Sequence, residues 1–187
     1  MTRENGPWRI EDSIRRFKSE WLEVCEDKVI RPDGQDGSYA TVRIRPGVSV
    51  LAVDDDQGVY LTREYRYAIE EESIEVVSGA IEDDELPETS ARRELREELG
   101  IVAERWTALG AIHPLTSMLH SPANLFMAQG LDFFEPDPQD AEMIQMVRVG
   151  LHKAVLMVMD CTIKHAPSCV LILKANHLLR LNKGSPG

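Results

Sequence analysis

Residues 87–99, PETSARRELREEL, leave this chain less conformational choice than any other stretch. Pro87 suits a first helical turn, Ala, Leu, Arg and Glu fill the interior, and Gly100 is a good terminator, so a helix is predicted from Pro87 to Leu99. At about 100° per residue that helix divides into three sectors. Ala91, Leu95 and Leu99 form an apolar stripe, Arg92, Arg93 and Arg96 a basic sector, and Glu94, Glu97 and Glu98 an acidic one. The stripe must be buried, and Glu94 and Glu98 flank it, which puts both carboxylates at the boundary of a core. Like charges one turn apart cost a helix roughly 0.2–0.5 kcal/mol per pair. An acidic sector that carries this cost is expected to face a cation.

The flanking sequence says what the stripe packs on. WLEVCEDKVI and SYATVRIRPG, joined by RPDGQDG, predict an antiparallel hairpin. VSVLAVDDDQGVYLTREYRYAI predicts two more strands around its Asp-Asp-Asp-Gln-Gly turn, and SIEVVSGAI a single strand ending at Ser78-Gly79. Residues 1–20 are polar and mixed and predict a partly irregular chain. Beyond the helix, RWTALGAI, NLFMAQGL and IQMVRV predict strands, with the irregular acidic segment DFFEPDPQDAE before the last. LHKAVLMVMD and PSCVLILKANHLLRL predict two closing helices. Strands, a helix, strands and then helices imply an α/β (α+β) fold, a mixed β-sheet core flanked by helices.

Charge and composition narrow the function. Acids outnumber bases by 32 to 21, a net charge of −11, and a non-specific nucleic-acid binder carries the opposite balance. Cys25, Cys161 and Cys169 are odd in number and lack CxxC spacing, which indicates neither a disulfide framework nor a zinc site. No apolar run approaches the ~18 residues of a membrane span. The N-terminal MTRENGPWRIEDSIRR lacks the apolar segment of a secretory signal, so the expected location is cytoplasmic, with no membrane partner.

Read outward, the helix belongs to GAIEDDELPETSARRELREELGI, residues 79–101. Gly79, Glu85, Arg93, Glu94, Leu95, Glu97, Glu98, Gly100 and Ile101 fall on every fixed position of the Nudix box, and the segment resembles that signature of hydrolases of nucleoside diphosphates linked to another group. From about Trp21 onward the chain is similar to the ADP-ribose pyrophosphatase-like branch. The resemblance implies a Nudix fold with an N-terminal antiparallel strand subdomain, residues 1–45, and a hydrolase domain, 46–187. It implies Mg²⁺ as cofactor, with Mn²⁺ as the substitute, held by Glu94 and Glu98 with Glu97 assisting and by the backbone carbonyl of Ser78. Mg²⁺ is a hard cation that commonly joins one or two carboxylates to substrate phosphates, which agrees with two glutamates one turn apart.

The same resemblance gives Arg66, in REYRY, the task of gripping the diphosphate, for which a guanidinium fork is suited. The other reading of Arg66 is a strand-face charge paired with a nearby glutamate. The catalytic carboxylate is Glu97, or Asp140 or Glu142 in the acidic loop before the last strand. Two departures stand out: EVVSG replaces the branch's Glu-Leu-Pro-Ala-Gly, and HPLTSM keeps only Pro114 of its Pro-x-Pro-Gly loop. A backbone-carbonyl ligand tolerates the first, while the second touches the loop that shapes substrate choice. The expected activity is Mg²⁺-dependent hydrolysis of a nucleoside diphosphate linked to a sugar, ADP-ribose first, giving AMP and ribose 5-phosphate. The alternatives are another nucleoside diphosphate derivative (nucleotide sugar, dinucleotide or nucleoside triphosphate) or a non-catalytic Nudix-like metabolite-binding module. A homodimer built through the N-terminal strands is expected.

Overall fold

The computed structural model describes residues 2–136 and 143–184, the last three by their backbone alone. Two compact units emerge, one from the chain up to Pro46 together with His113–Pro122, the other from Gly47–Ile112 together with Ala123 onward.

The first unit is a five-stranded sheet in the order β1-β2-β3-β4-β10, formed by Arg3–Asn5, Trp8–Lys18, Leu22–Ile30, Asp36–Ile44 and Leu119–His120. Neighbours are antiparallel except β10, which runs parallel to β4. The β3–β4 hairpin lies where RPDGQDG predicts it. The expectation of a partly irregular chain over residues 1–20 is corrected in extent: Arg3–Asn5 and Trp8–Lys18 are strand. Register shifts between Ile10 and Asp12 and between Arg15 and Phe17 break the period-2 pattern, and Ile10 is the one buried residue of β2, so no alternation shows in the sequence.

The second unit carries a mixed sheet of β5 (Gly47–Val53), β6 (Gly58–Arg66), β7 (Glu71–Glu75), β8 (Val77–Ala80), β9 (Ile101–Ile112), β11 (Ala123–Phe133) and β12 (Gln145–Gly150), with the main order β12-β6-β5-β11-β9. VSVLAV is a continuous apolar run because β5 is covered on both faces. Val48, Val50 and Ala52 pack with Ala91, Leu95 and Leu99 of α1, Pro87–Leu99, while Leu51 and Val53 pack with Leu151, Ala154 and Met157 of α2, Leu151–Met159, and Leu171, Ile172 and Ala175 of α3, Ala166–Gly184. Each fully buried aliphatic side chain here contributes about 1.5–3 kcal/mol. The observed α1 has the predicted bounds. Gly100 ends it in the left-handed region at φ 64°, its N–H bonding the Arg96 and Leu95 carbonyls, a conformation that favours glycine. Among the described residues no helix is long and apolar enough to cross a membrane.

One expectation about the strands needs a second correction. SIEVVSGAI is two strands with different partners, because β5 and β6 pair with each other only at Ala52–Tyr60 and Val53–Val59 and then diverge. β7 pairs with β6 and β8 with β5, filling the fork. Between them Val76, wholly buried, turns its N–H to the Ser168 hydroxyl at 2.9 Å instead of to a neighbouring strand.

Candidate active site

The fork sets Ser78 and Gly79 of β8 beside Ser49 and Val48 of β5. Val48 lies in the layer covered by α1, and Gly79, opposite it, meets the same helix. A Cβ at Gly79 would overlap the Glu94 carboxylate, so only glycine lets that side chain lie over the strand. The Ser78 hydroxyl is fixed by the Ser49 hydroxyl at 3.0 Å and donates to the Val76 carbonyl at 3.2 Å.

Arg93 organises the acidic sector. Its guanidinium reaches both Glu85 oxygens at 3.2 and 3.0 Å, Glu94 at 2.8 Å, Glu97 at 3.1 Å and the Ala80 carbonyl at 3.1 Å. Those five contacts match its five N–H donors. Arg93 therefore ties the loop before α1 to the helix and orients two glutamates of the acidic sector together. In sequence Glu85 has only a motif position, and Arg93 a motif position and a place in the basic sector of the helix. Their role as this clamp needs the loop to fold back, which no local pattern reports.

Hydrogen bonds from Arg93 hold the Glu85 carboxyl at about 2, outweighing its partial burial, and the Ser90 hydroxyl adds a further bond at 2.5 Å. A folded-state value below the usual 4.5 means that Glu85 favours folding above the ordinary carboxylate range. That contribution is lost as pH falls from about 4.5 toward 2. Glu85→Gln is expected to flatten the stability-against-pH curve across that window, read by denaturant unfolding at successive pH values. An unchanged slope would show that Glu85 is not held this way.

Arg66 ends β6 with its guanidinium on two carboxylates. Its Nε and one Nη reach the two Glu75 oxygens at 3.3 and 2.8 Å, and the other Nη meets Glu64 at 2.8 Å. The paired-charge reading of Arg66 thus describes its contacts, while three contacts still leave donors of the five for a further acceptor. Burial pulls the Arg66 pKa down, but the hydrogen bond and charge of Glu75, then the charges of Glu64 and Glu98, raise it above its ordinary value. Glu75 is 6% exposed, and although burial pushes its carboxyl up, Arg66 and His165 bring it below the usual range. His165 Nδ1 lies 3.5 Å from Glu75 and 2.8 Å from the Ser168 hydroxyl. Burial, joined by Arg66, lowers the pKa of this imidazole despite Glu75. Glu75, His165 and Ser168 were missed from sequence, because Glu75 lies about ninety residues before the other two.

Glu94, Glu97, Glu98 and the Ser78 carbonyl offer only hard oxygen donors, the chemistry Mg²⁺ or Mn²⁺ takes, and Gly79 leaves room for the Glu94 carboxylate against β8. Among the described residues no three Asp, Glu, His or Cys side chains gather as a ready ligand set. Mg²⁺ does not require one, since it keeps waters and binds substrate phosphates. Asp140 and Glu142, the other candidates for the catalytic carboxylate, lie outside the described residues.

Comparison with known proteins bears on the same stretch. A NUDIX domain model matches residues 43–149. An ADP-ribose pyrophosphatase of Bacillus subtilis (strain 168) is 26% identical over 144 residues, 76% of this chain and 78% of that protein. A methanol dehydrogenase activator of Bacillus methanolicus is 23% identical over 158 residues, 83% of this chain and 85% of its own. A crystal structure of an ADP compounds hydrolase superposes with a TM-score of 0.80 at 24% identity, over 94% of this chain and 95% of the other. At that identity the superposition speaks for the fold.

Proposed function

Because the chain belongs to the NUDIX family, we propose that it hydrolyses the diphosphate of a nucleoside diphosphate linked to a sugar, with ADP-ribose its first substrate and AMP and ribose 5-phosphate its products. The observation that carries this reading is the Glu94 carboxylate seated over Gly79, on a helix that presents Glu97 and Glu98 in the same sector. The relative from Bacillus subtilis, named an ADP-ribose pyrophosphatase, supports the choice of substrate.

Glu94 and Glu98, with Glu97 and the Ser78 carbonyl, would hold Mg²⁺ or Mn²⁺. When bound, the cation would neutralise diphosphate oxygens and make a nearby water more acidic. Arg66 would grip the diphosphate, with Glu75 and Glu64 fixing the plane of its fork. Glu97, Asp140 or Glu142 would take the proton from water. The water oxygen forms a new bond to one phosphorus, and the bond from that phosphorus to the bridging oxygen breaks. The bridging oxygen leaves on the other phosphate.

A panel of ADP-ribose, nucleotide sugars, dinucleotides and nucleoside triphosphates, assayed with Mg²⁺ and with both products identified, tests this assignment. The highest kcat/KM is expected for ADP-ribose. Tight binding across the panel without turnover would instead make the protein a metabolite-binding module. Arg66→Ala is expected to raise KM about tenfold or more while leaving the metal concentration for half-maximal activity nearly unchanged, since a charged hydrogen bond is worth roughly 1.5–3 kcal/mol. Unaltered kinetics would leave Arg66 only its ion pairs.

The N-terminal strand region, 1–45, is proposed to pair two copies of the chain, leaving 46–187 as the hydrolase domain. Ile14, Phe17 and Trp21 are 43%, 55% and 65% exposed on the first unit, apolar surface that a second copy would cover. Two-fold dimers are the commonest homo-oligomers. Light scattering is expected to give twice the chain mass, and an active monomer at assay concentration would overturn the pairing.

A further inference from the structure

We propose that His165 and Ser168, at the start of α3, are positioning residues for hydrolysis, acting through Glu75 on Arg66. The proposal rests on the reading of Arg66 as the residue that meets the diphosphate. It adds two residues that lie beyond the matched family region, which ends at residue 149.

The geometry points to a relay with two outputs. Ser168 is wholly buried, and its hydroxyl both accepts the Val76 N–H at 2.9 Å and bonds His165 Nδ1 at 2.8 Å. The Val76 bond pins the backbone between Glu75 and Val77 at the point where β7 gives way to β8. His165, 3.5 Å from Glu75, closes off one side of that carboxylate, and Arg66 takes both of its oxygens. Glu75 thus backs onto His165, just before α3, and holds Arg66 in front. A buried carboxylate gripped by two hydrogen bonds fixes the plane of a guanidinium, and a group preset in its working orientation loses less entropy when a phosphate binds. Without His165 or Ser168 the Glu75 side chain gains freedom, and Arg66 gains it in turn. Glu64, 18% exposed in its side chain, and the Ser73 hydrogen bond to Glu75 are the weaker anchors that would remain.

A double-mutant cycle separates this from a purely structural role. His165→Ala and Ser168→Ala are made in the full chain, alone and combined with Arg66→Ala. KM on the best substrate and the dissociation constant for ADP with Mg²⁺ are then measured. Each single variant is expected to raise both by about tenfold, within the range of coupled neighbours. In the Arg66→Ala background the same changes are expected to do almost nothing. His165→Asn, which keeps a polar atom near the Nδ1 position, is expected to restore most of the affinity. Equal factors in both backgrounds, or a lowered melting temperature with unchanged binding, would overturn the relay. If Ser168→Ala does not fold, the His165 pair completes the cycle, because it leaves the Val76 bond in place. Additive factors in an active enzyme would overturn the relay alone. Coupled ADP binding without hydrolysis would uphold the relay and remove the catalytic reading, and a chain that neither hydrolyses nor binds ADP would remove both.

Discussion

Glu98→Gln is expected to leave the fold intact and to lower turnover by about a thousand-fold, a loss on the order of 4 kcal/mol of transition-state stabilisation. Glutamine fills the same volume and relieves the like-charge pair with Glu94 one turn away, so the helix itself gains a few tenths of a kcal/mol. What disappears is the charge. A neutral amide oxygen is a poorer ligand for a hard divalent cation. Circular dichroism melting and initial rates check the two halves separately. Wild-type turnover in this variant would remove Glu98 from the metal site.

Gly79→Ala is expected to cost at least a hundred-fold in activity with little change in melting temperature. The added methyl would occupy the space of the Glu94 carboxylate. Those atoms are the far end of a flexible side chain, so Glu94 can swing aside without moving the strand or the helix. The fold survives, while the carboxylate leaves Gly79 and loses its 2.8 Å bond to Arg93. An intact, active variant would show that Glu94 need not lie where the glycine allows it. A variant that unfolds would show that the β8 backbone cannot accept the methyl at all.

Particular residues show how far the sequence carries. Pro87, the stripe of Ala91, Leu95 and Leu99, and Gly100 specify α1 locally, and its observed bounds are the predicted ones. VSVLAV reads as strand because both of its faces are apolar. By contrast, Trp8–Lys18 exposes nearly all its side chains and slips register twice, so its strand exists through pairing with β3 rather than through any pattern of its own. The break at Val76 is invisible for a similar reason, since its partner Ser168 is ninety-two residues away. Within the site, the glutamates of α1 are legible because helical spacing fixes their sector. Glu75 looks in sequence like one strand carboxylate among several. Only the fold shows that it is 6% exposed, bonded by Arg66 through both oxygens and backed by the histidine just before α3.

If this chain directs water to a diphosphate with the help of a divalent cation, hydrolysis in ¹⁸O-labelled water reads that step directly. With Mg²⁺ and the best substrate of the panel, nucleoside monophosphate and the partner phosphate are expected in equal amounts, with one ¹⁸O in only one of them. EDTA is expected to abolish both products, and Mn²⁺ or Mg²⁺ in excess to restore them. Label-free products, unequal products, or full activity in EDTA would contradict the account.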